Sequence, residues 1–210
     1  MDSVYQHVLA WREALEDAGI RLSVWRIHRR IGMSGGLFVD ALLRETGMEL
    51  SVEQMYRLRD LHAQAYLRQL PQVRPLPGAV DLLETLTSLG IPWAIATSGS
   101  RATATPTLDL LQLAPSTPIV TRDEVAFAKP NPDLFLAAAG RIEMAIEQAI
   151  VVGDSIWDML AAQLARAFGV GLLSGGYGRE ELERTGAYRV YDDPAELLEH
   201  LDELGIRRAR

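Results

Sequence analysis

The sequence predicts an α/β protein, a three-layer sandwich on a parallel sheet, with a separate all-helical unit. Three observations carry this. After residue 72, short apolar runs rich in β-branched residues alternate with helical patterns, as parallel strands joined through helices do. Before it, every patterned stretch has helical spacing. Between the two regimes, Pro71, Pro75, Pro77 and Gly78 punctuate the chain.

Composition narrows the classes of function. The 210 residues contain no cysteine, which removes disulfide and thiolate chemistry and fits a reducing compartment. A net charge of -7 argues against nucleic acid or an acidic membrane as a general partner. No basic segment leads into an apolar one near Met1, and the longest apolar runs are strand-sized, so a cytoplasmic protein with no membrane partner is expected.

Residues 1–18 read as a helix with Val4, Val8, Trp11 and Leu15 on its apolar stripe, Asp2 or Ser3 as cap and Gly19 as stop. Residues 23–28 lead into a short second helix, Gly35-Gly36 marks a joint, and 37–44 form a helix closing near Gly47. The longest pattern, 51–70, sets Val52, Met55, Leu58, Leu61 and Ala65 on one face and Arg57, Asp60 and Gln64 on the other. A helical bundle buries such stripes. Then come helix 79–89, strand 93–97, helix 104–113 with Pro106 delaying or kinking its start, strand 118–121 and helix 133–139. The apolar run 149–152 is a buried strand, followed by a tight turn and a helix from Ile156 with Trp157, Leu160, Ala161 and Leu164 at helical spacing. Strand 170–173, helix 180–185, edge strand 188–191 and helix 194–204, with Pro194 in its first turn, complete the pattern. A doubly wound sheet normally has a strand before its first helix. This sequence starts at the helix, so the first central strand is expected to be missing from it.

Chemistry-bearing residues gather just after three strands, where open α/β sheets place ligands. Thr97-Ser98-Gly99-Ser100 offers hydroxyls and backbone N–H groups to phosphate oxygens, or else caps the next helix. Lys129-Pro130 presents an ammonium that could neutralise a phosphoryl group or a carboxylate, or else is solvated. Asp154 and Asp158, four positions apart across a turn, suit Mg²⁺, or else favour a helix start through its dipole. His7, His28, His62 and His200 are scattered, with no HxxxH or HExxH spacing, which argues against a histidine metal site. His28-Arg29-Arg30 reads first as a solvated charged face and second as a contact to a phosphorylated ligand. Met33 and Phe38 read first as core and second as pocket wall.

In order, hhhhTSG ending at Thr97-Ser98-Gly99, KPxPxxF from Lys129, and hhhGDSxxDMxAAxxA through Asp154 and Asp158 resemble motifs II, III and IV of the haloacid dehalogenase-like hydrolase superfamily. The preceding helical segment resembles the cap of its phosphoglycolate-phosphatase-like members. The resemblance implies a Rossmann-like core over 1–9 and 73–210, a cap over 10–72, and a Mg²⁺-dependent phosphatase acting on a small phosphorylated metabolite, as monomer or homodimer. It also implies roles. Thr97 binds the transferring phosphoryl group, Lys129 steadies nucleophile and phosphate charge, and Ser98 and Gly99 bring backbone to the phosphate. Asp154 is a Mg²⁺ ligand, and Asp158 a second one, directly or through water. Gly153-Asp154-Ser155 differs from the SSN form of 2-haloacid dehalogenases and the EDS form of phosphoglucomutase-like members, which favours a phosphatase.

Two departures stand beside the resemblance. The family's first motif, a strand followed by DxDGTLxDS, supplies the nucleophile and the general acid/base, whereas Met1-Asp2-Ser3 matches only its tail. Both catalytic carboxylates then fall outside the given sequence, whose start resembles one placed too late. The 210-residue chain is accordingly expected to lack turnover, to bind Mg²⁺ weakly and to fold poorly. A noncatalytic member that binds a phosphoryl ligand or a protein is the alternative. In addition, Arg166 stands where members often place Gly after the last helix of the motif.

Overall fold

The computed structural model describes residues 1–206. Its N-terminal third is helical: α1 (Val4–Asp17), α2 (Val24–His28), α3 (Gly35–Thr46) and α4 (Val52–Gln69). α1 and α4 pack along their length. Val8, Trp11, Leu15, Ile27, Phe38, Leu42 and Leu58 share one buried cluster, the sum of the helical stripes. Ser51 and Gln54 cap α4 reciprocally, each side chain accepting the other's backbone N–H. Gly47, at φ +65°, closes α3 in the left-handed region.

Several local expectations are corrected here. Ser3 occupies the N-cap of α1 but makes no side-chain cap bond, and the Asp2 N–H instead donates to the Arg74 carbonyl. Gly35 and Gly36 form the first turn of α3 and are not a joint, because Ser34 caps that helix two residues earlier than expected. Val52 is exposed and Tyr66 is buried instead, because Tyr66 finds a partner for its hydroxyl across the layers, 2.7 Å from Thr107 Oγ1.

From residue 79 on, helices and strands alternate: α5 (Ala79–Ser88), β1 (Ile95–Ala96), α6 (Arg101–Leu108), β2 (Ile119–Val120), α7 (Asp133–Arg141), β3 (Ile150–Gly153), α8 (Ile156–Ala165), β4 (Phe168–Leu172), α9 (Arg179–Arg184), β5 (Ala187–Tyr191) and α10 (Pro194–Glu199). α6 begins three residues before the expected start, with Ser100 at its N-cap and Pro106 inside it. The last helix gives way to a 3₁₀ turn, Leu201–Leu204. Leu164 is exposed on α8 despite its helical spacing.

All strand pairs are parallel, β1 with β2 and β3 with β4 with β5. β4 shows why the sheet carries a helical layer on each face. Val170 and Leu172 pack with Leu82 of α5 and Leu197 of α10. Between them Gly169 and Gly171 lie against Met159 of α8 and Leu182 of α9, where an added Cβ would come within 3.1 and 3.0 Å of side-chain atoms. α7 ties the two ladders together, since Phe135 packs on Val151, Ala161 and Ala96. No ladder joins β1 to β3 among the described residues. Ile95 and Ala96 of β1 and Val152 and Gly153 of β3 line one common cavity. No helix among the described residues is long and apolar enough to cross a membrane.

Candidate active site

The cavity has a volume of about 620 Å³ and lies between the helical layer and the ends of the strands. The turn after β1 delivers Thr97, Ser98 and Gly99 to it. The Thr97 N–H continues the ladder to the Val120 carbonyl at 2.9 Å, while its Oγ1 accepts the Gly99 N–H at 3.1 Å. That leaves the hydroxyl proton of Thr97 free to donate. Ser98 Oγ is buried without a partner. A buried hydroxyl in that state calls for a ligand or an ordered water.

Lys129 follows a loop whose Lys129–Pro130 peptide is cis. Its Nζ reaches the opposite wall and donates to Asp158 Oδ1 at 2.7 Å, with both residues buried. Asp158 is spent twice over, because its Oδ2 accepts both the Ser155 N–H at 3.2 Å and the Ser155 hydroxyl at 2.5 Å. This box fixes the start of α8. Gly153 makes the arrangement possible: a Cβ there would lie 2.2 Å from Asp158 Cβ.

Asp154 differs from its neighbour. It lines the cavity and takes part in no ion pair within 4.0 Å among the described residues. Burial, reinforced by the negative charge of Asp158 and opposed by Lys129, pushes its pKa up to about 6. The residue after Ser174 is packed hard against it, since a Cβ at Gly175 would sit 1.9 Å from the Asp154 carbonyl oxygen. No group of three His, Cys, Asp or Glu side chains suited to a cation occurs among the described residues.

The structure thus brings Thr97, Ser98, Gly99, Lys129, Asp154 and Asp158 onto one cavity. From the helical layer Met33 lines it too, whereas Phe38 is core. His28 and Arg29 are not a solvated face. His28 Nε2 donates to the Gly175 carbonyl at 2.8 Å, and the Arg29 guanidinium pairs with Glu181 and lies 4.5 Å from the centre of the Tyr177 ring. The Arg29 carbonyl accepts from Trp157 Nε1 at 3.2 Å and from the Tyr177 hydroxyl at 3.0 Å. These contacts clasp the helical layer to the sheet layer at the cavity rim.

Sequence reasoning missed the pairing of His7 with His62, whose ring nitrogens stand 3.3 Å apart. They are 55 positions apart on α1 and α4, and no spacing rule relates them. The signal present in the sequence was indirect, in that each sits one helical turn from a core aromatic, Trp11 or Tyr66.

A model of the haloacid dehalogenase-like hydrolase family matches residues 2–166. The crystal structure of a hydrolase from Pseudomonas syringae is similar at a TM-score of 0.95 and 58% identity, over 97% of this chain and 93% of that one. A phosphoglycolate phosphatase of Agrobacterium fabrum is 32% identical over 136 residues, 63% of this chain and 57% of that protein. One from Rhodospirillum rubrum is 36% identical over 122 residues, 58% of this chain and 50% of that protein. The chain spans about half the length of the curated relatives it matches.

Proposed function

Because the chain belongs to the haloacid dehalogenase-like hydrolases, we propose that its cavity binds the phosphoryl group of a small phosphomonoester with Mg²⁺, residues 10–72 acting as the cap and 1–9 with 73–210 as the core. The observation that carries this is the convergence of free donors, a buried cation and a raised carboxylate on one cavity. The Thr97 hydroxyl and the orphaned Ser98 hydroxyl donate to phosphoryl oxygens, with the backbone at Gly99 close by. Lys129, held by Asp158, offsets the charge of the phosphate. The phosphoglycolate phosphatases among the relatives support a small substrate.

Asp154 fits a divalent cation, since a buried carboxylate in no ion pair, with a pKa raised to about 6, is the donor such an ion stabilises. Both oxygens of Asp158 are engaged, which supports contact through a bridging water over direct ligation. When bound, Mg²⁺ would supply charge neutralisation between carboxylate and phosphate. Asp158 is tied to Lys129 and Ser155 and so is not free to attack phosphorus, which favours a second reading: ligand binding without turnover.

Calorimetric titration of inorganic phosphate in the presence of Mg²⁺ tests the site. Binding should weaken in T97A and K129M and lose its Mg²⁺ dependence in D154N. Equal affinity in all four proteins would overturn the assignment. Release of phosphate from p-nitrophenyl phosphate by the wild-type chain, abolished in D154N, would place the attack on a residue of this chain and discard the second reading.

A further inference from the structure

The cap side of the cavity contains three charged or titratable residues that the phosphoryl site does not use. Arg59 and His62 lie three positions apart on α4, on one helical face, and His7 reaches His62 from α1. All three line the cavity. Its volume of about 620 Å³ is that of a ligand pocket and leaves room beyond a phosphoryl group for the rest of a substrate.

Three arginines line this cavity, and two are committed. Arg30 pairs with Glu45 and donates to the Arg26 carbonyl. Arg122 donates to the carbonyls of Val125 and Ala126. Arg59 donates only its Nε, to the Met55 carbonyl, and stacks on Tyr56. Among the described residues its two Nη groups have neither a carboxylate within 4.0 Å nor a carbonyl. The space beside it is open, since a Cβ added on Gly36 would still lie 3.9 Å from Arg59 Nη1. A planar fork of free donors in a cavity is matched by a carboxylate.

The histidine pair adds a second specificity. The contact uses His7 Nδ1 and His62 Nε2, and burial keeps both rings neutral. One ring therefore donates to the other. Whichever does so, the outer nitrogens, His7 Nε2 and His62 Nδ1, then comprise one N–H donor and one bare acceptor. A hydroxyl, which both donates and accepts, can pair with either of these outer nitrogens. Stacking of His62 on Trp11 and of His7 on Tyr66, at centroid distances of 4.1 and 3.8 Å, fixes the two rings in place.

We propose that Arg59 with the His7–His62 pair forms a subsite for the far end of the substrate, selecting phosphomonoesters of hydroxy acids: a carboxylate on Arg59 and a neighbouring hydroxyl on the histidines. This rests on the phosphoryl reading above and names the class of substrate it serves.

Three probes separate the elements: 3-phosphoglycerate with both groups, phosphoglycolate with the carboxylate alone, and glycerol 3-phosphate with hydroxyls alone. Titrated with Mg²⁺ into the wild-type chain, 3-phosphoglycerate should bind most tightly, with about tenfold over glycerol 3-phosphate for the charged contact. R59M should abolish that margin while leaving inorganic phosphate unchanged. H62Q should reduce the preference for 3-phosphoglycerate over phosphoglycolate and leave the carboxylate margin. Ring ¹⁵N spectra give a readout that folding alone does not move: phosphate-free glycerate should shift His7 and His62 in the wild type and fail to do so in R59M. Equal affinity for the three probes, or an unchanged ranking in R59M, overturns the subsite while leaving phosphate binding intact. Loss of inorganic phosphate binding in the wild type, with the glycerate shifts retained, overturns the phosphoryl reading instead.

Discussion

Lys129 Nζ stands 2.7 Å from Asp158 Oδ1 with both residues buried, and Asp158 simultaneously caps α8 through Ser155. The ion pair thus joins the loop after β2 to the helix after β3. Removing only the cation leaves two buried carboxylates, Asp154 and Asp158, uncompensated. K129M is expected to cost about 3 to 5 kcal/mol in denaturant unfolding at neutral pH. A loss under about 1 kcal/mol would show that the pair is solvated and worth no more than a surface contact.

Gly153 is required by contact and not by backbone conformation. Its added Cβ would meet Asp158 Cβ at 2.2 Å and Cγ at 2.4 Å. G153A should therefore displace α8, cost about 1 to 3 kcal/mol and weaken phosphate binding together with it. Retained stability and retained binding in that variant would mean that Asp158 is not seated against β3 as described.

Arg166 closes α8 at φ +65°, in the region that glycine occupies most easily. R166G removes the steric penalty of a Cβ in that conformation, partly offset by the greater freedom of glycine in the unfolded chain. A net gain of up to about 1 kcal/mol is expected in thermal or denaturant melts. A loss of stability would show that the Arg166 side chain contributes more than its backbone costs.

Acid should act on the helical layer through His7. Burial holds its imidazole down to about 4, against 6.5 for the free side chain, and His62 is lowered as well. Between those values the unfolded chain binds more protons than the folded one. The stability associated with neutral His7 is complete above the unfolded value and is lost as pH falls toward 4. Asp154 runs the other way, because a carboxyl raised to about 6 takes up its proton first in the folded state. Comparing wild type with H7Q isolates the histidine: the advantage of wild type should shrink by on the order of 1 to 3 kcal/mol between pH 7 and pH 4. A pH-independent difference would contradict it.

The strand, turn and helix around Asp154 were legible because three local rules agree there. An apolar β-branched run reads as a buried strand, Gly153-Asp154-Ser155 reads as a tight turn, and the spacing of Trp157, Leu160 and Ala161 from Ile156 onward reads as a helix. Where only one rule spoke, it erred. The apolar periodicity of α4 and α8 counted Val52 and Leu164 inward, yet Val52 belongs to a first turn and Leu164 to a last turn that overhang their neighbours. α6 starts directly after Ser100, ahead of the signal of Pro106. The cap side of the cavity was not legible at all. Free donors at Arg59 and a shared contact between His7 and His62 depend on the packing of α1 against α4, which no single stretch encodes.

The clasp at Arg29 has a consequence for how this protein can change over generations. Two of its bonds, from Trp157 and from Tyr177, end on the main-chain carbonyl of Arg29. Every amino acid offers that same oxygen. Substitution at position 29 would therefore forfeit the partner of Glu181 but not the indole or the phenol. The anchoring chemistry resides on the sheet side, in Trp157 and Tyr177, so the cap could drift in sequence at this point without coming unfastened from the sheet layer.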